Sequence, residues 1–192
     1  MKNAIILHGS PDKEQCEDPN FPSTSNYYWL PWAQKQLALK GIPANTPEVP
    51  DAWRAHYPVW KEAFEHYEVT PETILIGHSC GAGFIVRWLS ENKEIKTDKV
   101  ILVAPWLDPE GGDPGNTESL DFFNFKIDPN LTDRTKGLVI INSDNDMKTI
   151  QTSVKKLLKE VKNIKYVELH NRKHFFDKSA LTFPELIEEV MS

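Results

Sequence analysis

The chain has 192 residues, of which 40% are hydrophobic and 26% charged, a size and composition typical of one globular domain over residues 1–192. Its formal net charge is −6 and it has no run of Lys or Arg. This argues against nucleic acids and anionic membranes as partners, because both bind basic surfaces, and no segment is apolar over the roughly 20 residues that a membrane-spanning helix needs.

The two cysteines bear on the cellular compartment. Cys16 and Cys80 have no metal-ligand spacing and are predicted to be free thiols in a reducing environment. The apolar run at the N-terminus covers only residues 4–7. A signal peptide needs an apolar stretch of roughly 7–15 residues, so we expect a cytoplasmic protein.

In the first third of the chain, short apolar runs alternate with segments of helical period. Residues 4–7 are a continuous apolar run, as in a strand buried on both faces. Leu30, Ala33 and Leu37 then share one helical face, and Gly41 is predicted to end that helix. The proline-rich segment 42–49 can hold at most one brief edge strand.

The same alternation continues to the C-terminus. Pro58 suits the first turn of a helix that runs to about residue 67. Apolar runs predict four further strands, at residues 73–76, 100–103, 138–141 and 166–169. Helical stripes predict three more helices, on Ala82, Ile85, Val86 and Leu89; on Val154, Leu157, Leu158 and Val161; and on Phe183, Leu186, Ile187 and Val190. The pattern predicts an α/β fold with a mostly parallel sheet of about six strands, covered by helices on both faces.

Residues 105–136 interrupt this rhythm. The segment is rich in Gly, Pro and Asp, and a long irregular connection in a compact domain is usually functional. It begins at the end of a strand, where ligands of α/β proteins bind. We therefore predict a lid, with its aromatic side chains bordering the mouth of a substrate pocket and favouring apolar acyl groups. These residues are Trp106, Phe122, Phe123 and Phe125.

The chemistry is expected at Gly77-His78-Ser79-Cys80-Gly81, which matches G-x-S-x-G. A predicted strand ends just before this pentapeptide and an amphipathic helix begins near Cys80, the context that a nucleophile elbow requires. The sharp turn strains the backbone of the serine, and the glycines let strand and helix approach closely. Ser79 is the predicted nucleophile.

A serine hydroxyl needs a base to remove its proton, and the base needs an acid to orient it. His174 follows the last predicted strand, and Asp144 and Asp146 both follow the strand 138–141. The chain order Ser, Asp, His is that of the α/β-hydrolases. Position along the chain alone does not show which of the two aspartates orients the histidine. Asp144 lies early in the turn and is placed to accept its N–H groups, whereas Asp146 lies at the exit.

A developing oxyanion needs hydrogen-bond donors. The backbone N–H of Cys80 is the first candidate, since it follows the nucleophile. The loop after the first strand should supply the second, from Ser10 or else Gly9, because Pro11 has no N–H.

The remaining candidates are interpreted as structural. His8 is expected to pack or hydrogen-bond within its loop, His78 to point away along the turn, and the Cys80 thiol to pack as a small apolar group. His170 and His174 are four residues apart, but on a strand end and a loop rather than a helix, so no metal site is predicted.

The chain resembles the α/β-hydrolase superfamily, and within it the small serine hydrolases similar to YdeN and retinoblastoma-binding protein nine. The resemblance is carried by Ile6-Leu7-His8-Gly9-Ser10, Trp29-Leu30-Pro31-Trp32, the pentapeptide around Ser79, Ile101-Leu102-Val103-Ala104, Ser143-Asp144-Asn145-Asp146, Lys173-His174-Phe175 and Phe183-Pro184-Glu185-Leu186. It implies the strand order 2-1-3-4-5-6, a Ser79–Asp146–His174 triad, and hydrolysis of small esters or amides without a cofactor.

Two positions depart from the family pattern. Lys173 stands where the family usually has Gly before the histidine, and Met147-Lys148-Thr149-Ile150 replaces a proline-containing stretch after the acid. The substrate is expected to be a small acyl compound, and the sequence itself indicates no protein partner. Because family members are also described as protein-binding factors, a binding module with weak or no turnover is the second hypothesis. A metal-dependent hydrolase is the third, and it lacks ligand spacing.

Overall fold

A parallel β-sheet forms the centre of the protein. The computed structural model describes residues 1–107, 121–176 and 181–192. Within these residues the sheet has six strands in the order β2-β1-β3-β4-β5-β6. They are β1 (Asn3–Leu7), β2 (Ala44–Asn45), β3 (Thr73–His78), β4 (Lys99–Val103), β5 (Leu138–Ser143) and β6 (Lys165–Leu169). All neighbouring strands pair in parallel, which confirms the predicted fold class and strand order.

Helices connect these strands. In the described residues they are α1 (Lys13–Glu17), α2 (Leu30–Leu39), α3 (Tyr57–Glu65), α4 (Cys80–Glu91), α5 (Lys148–Glu160) and α6 (Pro184–Met191). Helix α1 has no counterpart among the predicted elements, because its five residues bury none of their side chains and therefore leave no apolar stripe in the sequence. None of the helices described here has the length and apolar character needed to cross a membrane.

Burial explains why the central strands are so apolar. All residues of β3 and β5 are buried, whereas in β6, at one edge of the sheet, Lys165, Tyr166 and Glu168 are exposed. At the other edge β2 has only two residues. A short strand at one edge and a polar strand at the other give little surface for pairing with another chain.

The predicted end of α2 at Gly41 is confirmed by its capping geometry. Gly41 has a φ of 77°, and its N–H donates to the carbonyl oxygen of Ala38 at 3.0 Å. The N–H of Ile42 donates to the carbonyl oxygen of Leu37 at 2.9 Å. These two bonds form a Schellman motif, in which glycine tolerates the left-handed conformation best.

Only the ends of the predicted lid are described, since residues 108–120 lie outside the described part of the chain. Its C-terminal end packs onto the body of the protein. Arg134 donates to the carbonyl oxygens of Leu89 at 3.0 Å and Asn92 at 3.2 Å, at the end of α4, and pairs with Asp128 at 2.7 Å. Phe122 is fully buried. The described part of segment 121–136 is therefore held by the core.

Candidate active site

Ser79 lies at the tip of a sharp turn between β3 and α4. Its backbone has φ 52° and ψ −115°, a conformation that a residue with a side chain rarely adopts and that is typically strained by about 1–3 kcal/mol. Three backbone bonds hold it there. The Ser79 N–H donates to Val103 at 2.9 Å, and its carbonyl oxygen accepts from Gly83 at 3.0 Å and from Trp106 at 3.1 Å. The hydroxyl group therefore sits at the C-terminal edge of the sheet on a fixed backbone.

Two glycines make this turn sterically feasible. A Cβ atom at Gly77 would lie 2.6 Å from the backbone N of Ala82, and one at Gly81 would lie 2.4 Å from the carbonyl oxygen of His8. Both distances are far below van der Waals contact. The neighbouring atoms belong to the backbone, so they cannot move away as a flexible side chain could. The two outer glycines of the pentapeptide are thus required by the close approach of β3, α4 and the loop after β1.

His174 lies between Ser79 and Asp146. Its Nε2 is 2.9 Å from Ser79 Oγ, and its Nδ1 is 2.9 Å from Asp146 Oδ1 and 3.1 Å from Oδ2. Because a carboxylate accepts, Nδ1 carries the proton, which leaves the lone pair of Nε2 facing the serine hydroxyl. The Asp146 side chain is fully buried and that of His174 is 11% exposed, so both are largely shielded from water.

Asp144 occupies a different position. Its Oδ1 accepts from the N–H of Asn171 at 2.9 Å, and its Oδ2 contacts Nδ1 of the exposed His170 at 2.5 Å. The pKa of Asp144 is lowered, first by the Asn171 N–H and then by His170. The structure thus brings Asp146, and not Asp144, to His174.

The turn that carries Asp146 also grips the loop that carries His174. Ser143 Oγ accepts from the N–H of Arg172 at 2.8 Å, and Asn145 Oδ1 accepts from the N–H of Lys173 at 2.8 Å. Ser143 Oγ in turn donates to Asn145 Oδ1 at 2.8 Å. Side chains from the turn that carries Asp146 therefore fix the backbone of the loop around His174, the predicted base, and we call this loop the base loop.

This base loop has an unusual backbone. Asn171, Lys173 and Phe175 have positive φ angles of 56°, 50° and 59°. The left-handed backbone region with positive φ is unfavourable for residues that carry a Cβ atom. Glycine has none, and asparagine tolerates the region better than most other residues. Lys173 therefore adopts a conformation that suits glycine, the residue that the resemblance implies at this position.

A cavity of about 510 Å³ opens onto Ser79 and His174. Its size falls within the range of small-molecule sites, roughly 300–1,000 Å³. The described residues that line it are Ser10, Pro11, Asp12, Lys13, Trp53, Ser79, Trp106, Met147, Thr149, Ile150, His174 and Phe176. The site thus combines an aromatic and aliphatic wall with a charged rim.

The sequence profile of the serine hydrolase family matches residues 19–191, nearly the whole chain. The chain belongs to the serine hydrolase family. This confirms the resemblance drawn from the motifs and makes the protein a hydrolase. No curated protein matches the chain by sequence.

Solved structures similar to this serine hydrolase share its fold at low sequence identity. The ydeN gene product from B. subtilis is 21% identical, with a TM-score of 0.80 over 100% of this chain and 97% of that one. Est1E from Butyrivibrio proteoclasticus is 17% identical, with a TM-score of 0.63 over 99% and 86%. The 2-hydroxy-6-oxo-6-phenylhexa-2,4-dienoate hydrolase from Rhodococcus sp. strain RHA1 is 14% identical, with a TM-score of 0.61 over 100% and 91%.

Two other histidines of this serine hydrolase are buried and neutral. Burial lowers the pKa of His8, whose Nδ1–H donates to Gly9 at 2.6 Å while Nε2 accepts from Val49 at 3.1 Å. Burial, and next His174, lower the pKa of His78 well below its usual range. His78 Nε2–H donates to the carbonyl oxygen of His174 at 2.9 Å. His78 therefore faces the base loop and helps hold it, rather than pointing away along the turn as predicted.

Cys80 and the loop after β1, the predicted sources of oxyanion donors, both lie next to Ser79. Cys80 is the first residue of α4, so its N–H has no acceptor within the helix. A Cβ atom on Gly9 would lie 3.1 Å from Ser79 Cβ, which puts this loop directly against the serine. The hydroxyl of Ser10 donates to Ala52 at 2.9 Å. The Cys80 thiol is buried, and burial raises its pKa well above the usual range, as expected of a packing residue.

Of the four aromatic residues predicted to border the pocket, the structure brings only Trp106 to the cavity. Phe122 and Phe123 are 0% and 6% exposed and pack in the core, where the Phe122 ring lies 5.7 Å from that of Trp60. Phe125 lies 5.9 Å from the Arg87 guanidinium and lines a different cavity, together with Ser90 and Asp128. This placement corrects the expectation for the three phenylalanines. For Phe122 and Phe123 the reason is that packing in the core removes more apolar surface from water than a position at the rim of a pocket would.

Several residues that line the cavity were not predicted from the sequence, notably Trp53 and Phe176. Trp53 comes from the 3₁₀ turn Ala52–Arg54, and Phe176 lies two residues after His174. The position of Phe176 beside the predicted base was a usable signal. Trp53 reaches the site only because a distant connection folds back over α1, which no local pattern reveals.

Proposed function

We propose that this serine hydrolase cleaves a small ester or amide through an acyl-enzyme formed on Ser79, with His174 as general base and acid and Asp146 as the orienting carboxylate. The observation that carries the proposal is the pair of contacts from His174, 2.9 Å to Ser79 Oγ and 2.9 Å to Asp146 Oδ1. Nucleophile, base and acid are all side chains of this chain, so the reaction needs no cofactor.

In the acylation half, Ser79 Oγ attacks the carbonyl carbon while its proton passes to Nε2 of His174. The buried Asp146 carboxylate stabilises the imidazolium that forms and keeps the proton of Nδ1 in place. When the tetrahedral intermediate collapses, Nε2 returns the proton to the leaving alcohol or amine. The acyl group then remains bonded to Ser79.

The negative charge on the carbonyl oxygen is assigned to two backbone donors, the N–H of Cys80 and that of Ser10, with Gly9 as the alternative. Cys80 begins α4, and the positive end of a helix dipole favours an anion there. The contact of Gly9 with Ser79 supports a donor from the loop after β1.

In the deacylation half, water takes the place of the leaving group. His174 Nε2 removes its proton, the hydroxide attacks the acyl carbon, and the acid product leaves as Ser79 Oγ regains a proton. The cavity of about 510 Å³ holds a compact substrate. Its aromatic and aliphatic wall favours an apolar group on that substrate.

A panel of short p-nitrophenyl esters and aminoacyl amides tests the proposal. Wild type should hydrolyse at least one class, and Ser79→Ala should lose that activity. Cys80→Ala is the matched control, since it removes a side chain from the next residue but keeps the backbone N–H. Equal turnover by wild type and Ser79→Ala would refute the proposal. No turnover by a folded wild type would favour the binding module.

A further inference from the structure

A second, smaller cavity of about 170 Å³ adjoins the active-site cavity. The two share Ser10, Pro11, Asp12 and Phe176 in their walls. A ligand bound at Ser79 can therefore reach the smaller cavity along this shared wall, of which Phe176 is the aromatic member. The Phe176 ring lies 5.2 Å from that of His174, so the junction is next to the reacting atoms.

Four aromatic rings surround this smaller cavity in an unbroken chain. The ring of Phe21 lies 5.0 Å from that of Tyr27, Tyr27 4.1 Å from Tyr28, and Tyr28 5.0 Å from Phe176. All four residues are only partly buried. Clustered aromatic side chains left partly open beside a site are typical of a surface that binds a ligand.

The backbone holds this aromatic wall in place. The carboxylate of Glu48 accepts from the N–H of Thr24 at 3.2 Å and from that of Ser25 at 2.8 Å, which fixes the turn before Tyr27. Tyr28 has a φ of 53°, which is exceptional for a bulky residue. Strain of this kind persists where the surrounding structure demands it and is concentrated at binding and catalytic sites.

From this cavity we infer that the substrate carries a single aromatic ring, which binds among Phe21, Tyr27, Tyr28 and Phe176 while the scissile carbonyl lies at Ser79. The volume of about 170 Å³ is enough for one ring, because a cavity of about 150 Å³ accommodates benzene. Polar side chains complete its wall: Ser10, Asp12, Gln15 and Thr24. Edge-to-face and offset contacts with four rings favour an aromatic group over a saturated ring of similar size. This inference rests on the proposed function and narrows its substrate class to aryl-bearing esters or amides.

Matched ester pairs test the inference. Methyl 3-phenylpropanoate is compared with methyl 3-cyclohexylpropanoate, and 2-phenylethyl acetate with 2-cyclohexylethyl acetate, which places the ring on either side of the ester. In at least one pair wild type should prefer the phenyl member by about threefold to tenfold in kcat/KM. Tyr28→Leu should remove the preference. Tyr166→Leu, at an exposed tyrosine on β6 that lines neither cavity, should retain it.

Other outcomes separate this inference from the proposed function. Equal rates within both pairs, or a preference that survives in Tyr28→Leu, would overturn the aryl subsite while Ser79-dependent turnover still stands. If Tyr28→Leu does not fold, Phe21→Leu, at the end of the ring chain far from Phe176, replaces it. If no ester is hydrolysed, the same pairs are titrated into Ser79→Ala by calorimetry. Tighter binding of a phenyl member then supports the subsite, and equal or absent binding refutes it.

Discussion

Replacing Lys173 by glycine and by alanine measures the backbone strain of the base loop. Both substitutions remove the lysine side chain beyond Cβ, and both keep the N–H that donates to Asn145 at 2.8 Å. The two variants differ in the cost of the backbone conformation at residue 173. At φ 50° a Cβ atom costs roughly 1–2 kcal/mol, and glycine has no such penalty. Glycine loses about 0.5–1 kcal/mol more conformational freedom on folding than alanine.

The balance favours glycine by about 0.5–1 kcal/mol at this position. In a chain of 192 residues that difference raises the melting temperature by about 1–4 °C. We expect Lys173→Gly to melt above Lys173→Ala by this amount when unfolding is followed by circular dichroism. Both variants should keep wild-type activity, because the bond that positions the loop comes from the backbone.

Lys162 provides the matched control. It is an exposed lysine in the turn before β6, and it does not have a positive φ. There the order should reverse, with Lys162→Ala more stable than Lys162→Gly by about 0.5–1 kcal/mol. If Lys173→Ala were as stable as Lys173→Gly, the base loop would carry no backbone strain at Lys173, and the hydrogen bonds from Ser143 and Asn145 would not be holding it in a strained conformation.

Three further predictions concern the acid, the buried thiol and a charge cluster. Asp146→Asn should lower kcat by about 10⁴ through the wrong histidine tautomer, whereas Asp144→Asn should mainly lower the melting temperature; the reverse pattern in kcat/KM would exchange their roles. Because burial raises the pKa of Cys80 and excludes reagents, Ellman's reagent at pH 8 should modify at most one thiol quickly in the native protein and two after unfolding; two fast native thiols would contradict that burial. Burial opposes ionisation of Asp98, but hydrogen bonds from Lys136 and Lys2 outweigh it and lower its pKa. A carboxylate with a depressed pKa stabilises the fold above its unfolded pKa and loses that effect as pH falls. The loss of stability in Asp98→Asn relative to wild type should therefore shrink below about pH 4. An equal loss at pH 7 and at pH 3 would contradict a lowered pKa of Asp98.

The sequence was most informative where the structure is periodic or sterically forced. Each predicted strand lies within an observed one, because buried parallel strands are continuous apolar runs. The turn at Ser79 could be located because Gly77 and Gly81 have no alternative at the observed distances from Ala82 and His8. These features depend on neighbours close along the chain or on backbone packing alone.

The residues that were misplaced lie on irregular segments. Phe122 and Phe123 lie in the long connection between β4 and β5. In such an irregular segment, residue type alone cannot distinguish a phenylalanine that packs in the core from one that lines a pocket. Trp53, which was not predicted, reaches the cavity through a connection whose path is set by distant contacts. Position along the chain did not distinguish Asp144 from Asp146; the resemblance implied Asp146, and the structure places Asp146 rather than Asp144 against His174.

Covalent labelling of Ser79 tests the central claim most directly. An activated serine beside oxyanion donors attacks the phosphorus of a fluorophosphonate and releases fluoride. Intact-mass measurement and peptide mapping should find one adduct per chain on Ser79 in wild type and none in Ser79→Ala, with His174→Ala labelled far more slowly. A folded wild type that takes no label, or a Ser79→Ala variant that is labelled as fast as wild type, would contradict the account.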